Sequence, residues 1–480
     1  MVVHEAPRRA EWLVLAGLTV LAAVNVLWDL GSSSLFIDEG NSVDIALHPL
    51  GDILDGVKVI ETSPPTYFYG LHEWIGRLGS RADWFVRLPS ALAAIALVPA
   101  VWWVGRRMGG RAVGLVAAAA CTLNPYVLNY GQQARMYALL MLAATLATGA
   151  ALRAVVATGR ARTAWLAASG ALALVAGALH YTGLVPAAVL AVWVLTRSEL
   201  GRAARVLYAA APVVLAAALL PLARDQFDRY PNGGLRGLAG LTWENAVKVL
   251  GSPWDGRALT GLDAQRYLGL AAALAGLTFL GSPRARATLA DRWLLASLAA
   301  APLVLVFAGG LAGKDALISR YTSAAVPFML IALAAVIVRA PRPVGGLVAV
   351  AALAASVAGI VTTHRPSGRF ADARGAVAAV RAGLKPGDAV LIAGDGIDLP
   401  VLREGIRDPA RPLPFVFVAS QPERVAAAVA ERRRLWAISS LPQDRAAIAA
   451  ALKPLGYRLV SVRRLEGNVA LFVVLVGPAR

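Results

Sequence analysis

The fold of this chain is decided by one stretch near its start, residues 12–40, which reads WLVLAGLTVLAAVNVLWDLGSSSLFIDEG. An apolar run comes first, and the acidic pair Asp38-Glu39 follows it within a few residues. A charged side chain at the centre of a membrane helix costs about 2.5–3.5 kcal/mol on insertion scales, so acids beside such a helix indicate a function and a partner. The candidate partners are arginines at other helix ends on the same predicted side. The stretch therefore predicts chemistry at a membrane surface.

The composition extends this interpretation to the whole chain. It has 480 residues, of which 58% are hydrophobic and 16% charged, whereas a soluble domain averages about 25% charged residues. The mean hydropathy is +0.61. The apolar residues are concentrated in segments of about 16–22 residues, long enough to cross a hydrocarbon core of roughly 30 Å. The sequence therefore predicts a polytopic α-helical membrane protein.

Charge and cysteine content exclude other classes. The net charge is +18, but the basic residues sit mostly in short loops between apolar runs, and no nucleic-acid-binding module is recognisable. Cys121 is the only cysteine, so an intrachain disulfide or a cysteine-rich metal site cannot form. Arg8 and Arg9 precede a long apolar stretch that lacks a clear cleavage site, which is typical of a retained signal anchor.

The hydropathy pattern predicts about eleven spans. They lie near 12–30, 86–104, 112–129, 136–153, 163–180, 183–196, 206–222, 267–281, 293–311, 321–338 and 344–361. The N-terminus and alternate loops are rich in arginine and poor in acids, which places them in the cytoplasm. An odd number of spans then places the long loops 31–85 and 223–266, and everything beyond 362, outside.

The two long outer loops and the C-terminal part differ from the apolar segments. Stretches that mix apolar and polar faces in 31–85 predict amphipathic helices in the membrane interface. After about residue 362, short apolar runs alternate with helical stretches, which indicates a small soluble α/β domain. The predicted strands are Ala389–Ala393, Phe415–Val418, Leu435–Ile438, Leu459–Val462 and Val469–Val476, and the predicted helices are Phe370–Arg381, Gln421–Arg433 and Gln443–Leu455.

The polar motifs outside the spans occur in a recognisable order. They are Asp38-Glu39, Ser63-Pro64-Pro65-Thr66-Tyr67, Arg87-Leu88-Pro89-Ser90, the string from Gln132 to Tyr137, His180-Tyr181-Thr182-Gly183, and Arg320-Tyr321 with Pro327. In this order and topology, residues 12 to about 340 resemble the GT-C glycosyltransferases that use lipid-linked sugars. The nearest branch is that of the protein O-mannosyltransferases and lipid A aminoarabinose transferases. The C-terminal domain does not resemble the extra domains of the best-known relatives.

The resemblance implies a GT-C membrane domain, which we take as residues 1–361. The number of spans and the charge alternation make residues 362–480 an extracytoplasmic domain. The resemblance also implies that a sugar passes from a polyprenyl-phosphate carrier to an acceptor outside the cytoplasm, with inversion at the anomeric carbon. Elementary chemistry agrees, because a phosphate leaving group needs charge stabilisation, which arginine supplies in planar form. The acceptor hydroxyl needs a carboxylate within hydrogen-bond reach to take its proton.

The expected roles follow residue by residue. Asp38 is predicted to be the general base, and Glu39 to orient a donor-binding cation or the acceptor. The predicted donor-binding residues are Arg135, Arg320, Tyr137, Tyr321, His180, Glu61 and Lys314. Structural alternatives stay open for all of these residues except the two tyrosines. They are a cap or salt bridge for Asp38, a solvated loop acid for Glu39, a structural role in the loop turn for Glu61, a snorkelling arginine at 135 and 320, a surface lysine at 314 and a helix cap at His180.

The predicted function is therefore an inverting glycosyltransferase of the cytoplasmic membrane, which acts on a cell-envelope glycan, a glycolipid or a protein. No cofactor is expected, because the lipid-linked sugar is a substrate. The motif at His180 has no metal-ligand spacing with a second histidine, and a divalent metal is left open. The rival interpretations are a transporter or flippase for lipid-linked sugars and a non-catalytic membrane scaffold. Nucleic acid is not an expected partner.

Overall fold

The computed structural model describes residues 7–229, 241–255, 263–312, 317–365, 372–393, 413–417, 434–439, 457–465 and 470–476, with the single residues 401 and 453. Helices dominate the chain up to residue 364. They are α1 (Arg9–Leu27), α2 (Ile37–Ala46), α3 (Ile53–Ile60), α4 (Thr66–Leu78), α5 (Asp83–Gly109), α6 (Arg111–Thr122), α7 (Pro125–Gly131), α8 (Tyr137–Val156), α9 (Gly159–Leu179), α10 (Leu184–Leu195), α11 (Arg202–Asp228), α12 (Trp243–Asp255), α13 (Asp263–Gly281), α14 (Pro283–Thr288), α15 (Arg292–Leu311), α16 (Val326–Arg339) and α17 (Arg342–His364). Short 3-10 helices cover Tyr181–Gly183 and Ser319–Ala325.

The predicted multi-pass membrane architecture is confirmed, with a smaller number of qualifying spans. Among the described residues, eight helices are long and apolar enough to cross a membrane, or nine if α6 and α7 form one span. The two other predicted spans are helices as well. At 1.5 Å per residue the 12 residues of α10 are too short to cross alone, and the first turn of α13 carries Asp263 and Arg266.

The predicted span 112–129 is not one continuous helix. Its two parts, α6 and α7, meet at an angle of 56°. The side chain of Asn124 accepts a hydrogen bond from the amide of Val127 at 3.0 Å and caps α7, while Pro125 occupies its first position. Asparagine at the cap and proline just inside the helix together favour a new start there. Helix α7 ends at Gly131, where an added Cβ would lie 2.7 Å from Cβ of Ala94, so a larger residue would not fit there without a shift.

The C-terminal part is an α/β structure, as predicted. It contains α18 (Ala373–Gly383) and the strands β1 (Ala389–Ala393), β2 (Phe415–Phe417), β3 (Arg434–Ser439), β4 (Tyr457–Arg464) and β5 (Ala470–Val476). The five strands form one sheet in the order β2-β1-β3-β5-β4, in which β2, β1 and β3 are parallel and β5 is antiparallel to β3 and β4. Most of the predicted helices 421–433 and 443–455 lies outside the described residues.

The core of this α/β part lies between α18 and the parallel strands. Val377 and Val380 of α18 pack with Val390, Ile392 and Trp436 in a buried apolar cluster. At one end of the sheet the buried carboxylate of Asp388 accepts hydrogen bonds from Arg434, Trp436 and the amide of Lys385.

The chain divides into two compact units that do not follow sequence order. The first comprises residues 1–28, 45–80 and 86–363, and the second comprises 29–44, 81–85 and 364–480. The second unit therefore joins the α/β part to two short stretches from the beginning of the chain. The division into two domains between residues 361 and 362, made from the sequence, stays a prediction.

Candidate functional site

The centre of the first unit's polar cluster is an ion pair between Arg135 and Glu61. The guanidinium donates from Nη1 to Oε1 at 2.6 Å and from Nη2 to Oε2 at 2.9 Å. Both residues are buried, with exposed fractions of 4% for Arg135 and 6% for Glu61. A bidentate geometry fixes the plane of the guanidinium as well as its position. Glu61 therefore orients the arginine that the sequence assigns to phosphate binding.

Arg135 is held by its backbone as well. It lies in the irregular segment between α7 and α8, and its carbonyl accepts a hydrogen bond of 2.8 Å from the hydroxyl of Ser90 in α5. Earlier in the segment, Nε2 of the Gln132 side chain donates to the carbonyls of Val26 and Trp28 at the end of α1. Side-chain hydrogen bonds thus replace the missing helical ones, and they fix a non-helical stretch among the spans.

A row of aromatic rings runs beside Arg135. Successive ring centroids are 4.5 Å apart for Tyr126 and Tyr130, 5.0 Å for Tyr130 and Tyr137, 5.5 Å for Tyr137 and His180, and 5.4 Å for His180 and Tyr321. These are the separations of favourable aromatic contacts. The Cζ of Arg135 lies 6.0 Å from the centroid of the Tyr137 ring. Four of the predicted donor-binding residues, Arg135, Tyr137, His180 and Tyr321, are therefore neighbours.

His180 links this row to two positive charges. It lies between α9 and the 3-10 turn, where its Nδ1 accepts a hydrogen bond from the amide of Thr182 at 3.2 Å and is 2.8 Å from the Thr182 hydroxyl. Burial, followed by the positive charges of Arg135 and Arg320, lowers the pKa of His180 to about 3. Because Nδ1 is an acceptor, the neutral ring carries its proton on Nε2. His180 can thus donate one hydrogen bond while uncharged.

A large apolar groove begins at Tyr181, the residue that follows His180 in the chain. It has a volume of about 1120 Å³ and lies between α10 and α15. Its lining is mostly Ala, Val and Leu, with Tyr181 at one end and Thr196 and Arg197 at the other. Arg197 pairs with Asp291 at 2.9 Å. The groove follows α10 along its whole length, so it has the size and the polarity that suit a lipid chain.

Gln226 connects Tyr181, at one end of the groove, to the segment that carries Glu61. Its Oε1 accepts a hydrogen bond of 2.7 Å from the Tyr181 hydroxyl. Its Nε2 donates to the carbonyl of Ser63 at 3.0 Å and to that of Val57 at 3.3 Å. The side chain is fully buried, so each of these bonds replaces one to water.

Two buried hydroxyl groups near these residues have no hydrogen-bond partner within the described part of the chain. They belong to Ser63, two residues after Glu61, and to Ser323, two residues after Tyr321. Buried hydroxyls are normally paired, so orphaned ones near a polar cluster are suited to a ligand or to water.

The predicted catalytic pair belongs to the second unit. Asp38 and Glu39 lie in the first turn of α2. Glu39 is fully buried and its Oε2 accepts a hydrogen bond of 3.2 Å from the amide of Phe36, while Asp38 is half-buried and its carbonyl accepts one from the Ser42 hydroxyl. Acids at the start of a helix are favoured by the helix dipole. Their predicted catalytic roles stay predictions.

The remaining candidates are Arg320, Lys314 and a metal. Arg320 lies in the 3-10 helix Ser319–Ala325, next to Tyr321, and Lys314 lies outside the described residues. Within the described ranges no group of three His, Cys, Asp or Glu side chains is arranged to hold a metal ion. The metal requirement therefore stays open.

Several residues of the cluster were not predicted from the sequence. Tyr126 and Tyr130 are four residues apart on α7, the spacing that places side chains on one face, and Tyr130 lies two residues before the string from Gln132 to Tyr137. Gln226 is a polar amide in the last turn of an apolar helix, a signal that indicates a function or a partner. Arg87 belongs to the motif Arg87-Leu88-Pro89-Ser90 but was given no role, and it is 1% exposed in α5, one turn before Ser90.

Comparison with known proteins supports the fold. No family model matches the chain, and no curated protein matches it. ArnT from Cupriavidus metallidurans is similar in structure, with a TM-score of 0.57 and 15% identity, over 96% of this chain and 97% of that one. The same protein bound to undecaprenyl phosphate gives a TM-score of 0.56 at 14% identity, over 97% and 98% of the two chains.

A second relative has a longer chain. The oligosaccharyltransferase AglB from Archaeoglobus fulgidus, in complex with an inhibitory peptide and a dolichol-phosphate, gives a TM-score of 0.53 at 12% identity, over 89% of this chain and 69% of that one. At such low identity these similarities concern the fold. The GT-C fold expected from the sequence is thereby confirmed.

Proposed function

We propose that this protein is a membrane glycosyltransferase that moves a sugar from a polyprenyl-phosphate carrier to an extracytoplasmic acceptor. The observation that carries the proposal is the buried cluster of Arg135, Glu61 and His180, together with an apolar groove that begins at Tyr181, the residue after His180. A lipid-linked sugar phosphate needs both features at once, a cationic site for the phosphate and an apolar surface for the chain. Structures of the same fold hold undecaprenyl phosphate and a dolichol-phosphate, which supports this donor class.

The proposed reaction is a single displacement at the anomeric carbon. The acceptor hydroxyl oxygen forms the new bond, the bond from the anomeric carbon to the phosphate oxygen breaks, and the electron pair leaves with the phosphate. Asp38 takes the hydroxyl proton. Arg135 and Arg320 stabilise the negative charge that grows on the phosphate, and neutral His180 donates a hydrogen bond through Nε2.

The remaining assignments follow the same division. Tyr137 and Tyr321 line the donor site through the aromatic row, and Ser63 and Ser323 offer their buried hydroxyls to the sugar. Glu39 fixes the first turn of α2, and Lys314 is a further phosphate contact. The acceptor is an envelope glycan, a glycolipid or an exported protein. We place the N-terminus in the cytoplasm and the α/β part outside the cytoplasmic membrane, in line with the arginine distribution.

The test uses the full chain in lipid nanodiscs with a panel of polyprenyl-phosphate sugars that carry a labelled sugar. The wild type should consume one donor and release polyprenyl phosphate. Asp38→Asn should bind polyprenyl phosphate as tightly as the wild type and lose turnover, whereas Arg135→Gln should weaken binding. A wild type that consumes none of the donors, together with unchanged envelope glycans and glycoproteins in a deletion strain, would contradict the proposal.

The groove favours one alternative, a flippase for lipid-linked sugars, because it follows α10 from end to end. A flippase should move a labelled polyprenyl-phosphate sugar between leaflets of a proteoliposome without cleaving it. Asp38→Asn should leave this movement unchanged. Cleavage that depends on Asp38 decides for the transferase.

A further inference from the structure

Arg374, in the first turn of α18, joins the three chain stretches of the second unit. Its backbone amide donates to the hydroxyl of Ser34 at 2.9 Å, and its Nη1 donates to the carbonyl of Gly31 at 3.4 Å. Its Nη2 forms a salt bridge with the carboxylate of Asp83, the first residue of α5. One residue of the α/β part therefore holds both early stretches.

The early stretches are packed tightly where Arg374 meets them. Ser34 and Asp83 are both buried, with exposed fractions of 1% and 4%. A Cβ added to Gly31 would lie 3.0 Å from Cβ of Trp84, so the chain at Gly31 passes too close to α5 for a larger residue to fit without a shift. A buried carboxylate needs a charged partner, and Arg374 supplies it to Asp83.

The stretch that Arg374 holds leads directly into the turn with the acidic pair. Ser34 is followed by Phe36, whose amide donates to Oε2 of Glu39 and whose carbonyl accepts from the amide of Gly40 at 2.8 Å. These bonds begin α2. Because a helix grows from its first turn, the position of Phe36 sets the direction in which Asp38 is presented.

We propose that Arg374 is a positioning residue through which the C-terminal α/β part fixes the catalytic carboxylate Asp38. This inference rests on the proposed function, since it gives Asp38 the role of general base. Arg374 itself touches neither donor nor acceptor in this proposal. The α/β part is thus a component of the catalytic machinery, which explains why two short outer stretches belong to the same compact unit as residues 364–480.

The proposal predicts a specific kinetic pattern. Arg374→Gln removes the charge that faces Asp83 and the contact with Gly31, so residues 29–44 should lose their fixed position. A base displaced by about 1 Å costs on the order of 100-fold in rate, so we expect kcat to fall about 10- to 100-fold. The Kd for polyprenyl phosphate should stay within about twofold, because the donor site lies in the first unit. Arg374→Lys, which keeps the charge facing Asp83, should recover part of the lost kcat.

The experiment combines kinetics with hydrogen–deuterium exchange on the full chain in nanodiscs. Exchange of residues 29–44 should rise in Arg374→Gln, and to a smaller degree in Arg374→Lys and in Ser34→Ala. Lys385→Gln removes one exposed positive charge from the same unit and should match the wild type in every measurement. Thermal unfolding separates a local effect from general misfolding, and Ser34→Ala remains informative if Arg374→Gln does not fold.

Two outcomes overturn the inference in different ways. If the wild type is active and the Arg374 and Ser34 variants keep its kcat, the inference fails while the proposed function stands. If the wild type consumes no polyprenyl-phosphate sugar, the proposed function fails and the inference fails with it.

Discussion

At the scale of single residues, the Arg135–Glu61 pair is a buried ion pair to which we also assign a role in donor binding. Two opposite charges buried together stabilise little on balance, because their desolvation offsets their attraction. Removing only one of them leaves the other uncompensated, and this is costly. Single and double variants of the pair can therefore separate an effect on stability from an effect on donor binding.

Glu61→Ala should destabilise the protein by about 3–5 kcal/mol, since the guanidinium of Arg135 would lose its buried counter-charge. The double variant Glu61→Leu with Arg135→Leu should regain most of this stability and should not bind polyprenyl phosphate. Asp55→Ala is the matched control, because the Lys58–Asp55 pair of neighbouring α3 is exposed and contributes about 0–1 kcal/mol. Unfolding in detergent and a lipid-binding assay provide the two measurements. A double variant that still binds polyprenyl phosphate would contradict the role of Arg135.

His180 gives a prediction for pH. Its folded pKa is about 3, below the usual value near 6.5, so the unfolded chain binds a proton that the folded chain does not. The stabilisation by neutral His180 is complete above about pH 6.5 and is lost as the pH falls toward 3. Between pH 7.5 and 5.5 the wild type should lose about 1.4 kcal/mol relative to His180→Asn.

The measurement is chemical unfolding of both proteins at several pH values, with His48→Asn, at an exposed histidine, as the matched control. A difference between wild type and His180→Asn that does not change with pH would show that His180 is charged or exposed in the folded protein.

At the scale of elements, hydropathy predicted where helices lie, because long apolar runs have few alternatives. It did not predict the bend between α6 and α7, since hydropathy is averaged over a window and the bend depends on Asn124 and Pro125 alone. That signal was present in the sequence. The sheet was predicted strand by strand from short apolar runs, whereas the order β2-β1-β3-β5-β4 depends on long-range pairing that no local pattern encodes.

The same limit applied to the site. The sequence singled out Arg135, Tyr137, His180 and Tyr321, which lie together in the aromatic row. It gave Glu61 as a separate candidate and did not show that Glu61 is the partner of Arg135, because 74 residues separate them. The contacts of Gln226 with Tyr181 and of Tyr126 with Tyr130, which place both residues beside the site, were not predicted from the sequence.

Gln226 of α11 connects the turn at Tyr181 to the segment from Val57 to Ser63, and its replacement tests that connection. Gln226→Leu would leave the carbonyl of Ser63 and the hydroxyl of Tyr181 without this partner, each lost bond costing about 1–3 kcal/mol. The carbonyl of Val57 would keep its hydrogen bond from the amide of Glu61. We expect lower thermal stability together with weaker polyprenyl-phosphate binding, since the Glu61 segment is no longer held. Tyr181→Phe removes only one of the three bonds and should have a smaller effect. Equal stability of Gln226→Leu and wild type would show that this network is not needed.

At the scale of the whole molecule, the charge distribution makes an orientation testable. Cys121 is the only cysteine and is buried, so a cysteine introduced elsewhere is the only accessible thiol. In intact cells a membrane-impermeant maleimide should label Lys453→Cys in the α/β part. It should label Arg9→Cys only after the membrane is permeabilised. Both positions are exposed. Labelling in the reverse pattern would contradict the predicted topology.

The composition of the second unit also sets the order in which the protein can mature. Residues 29–44 and 81–85 leave the ribosome before residues 364–480, which belong to the same unit, have been synthesised. At a translation rate of roughly 5–20 residues per second, tens of seconds pass between the synthesis of the early stretches and that of the α/β part. The proposed activity should therefore be absent during synthesis and membrane insertion, and a nascent chain released before residue 364 should be a substrate for proteases.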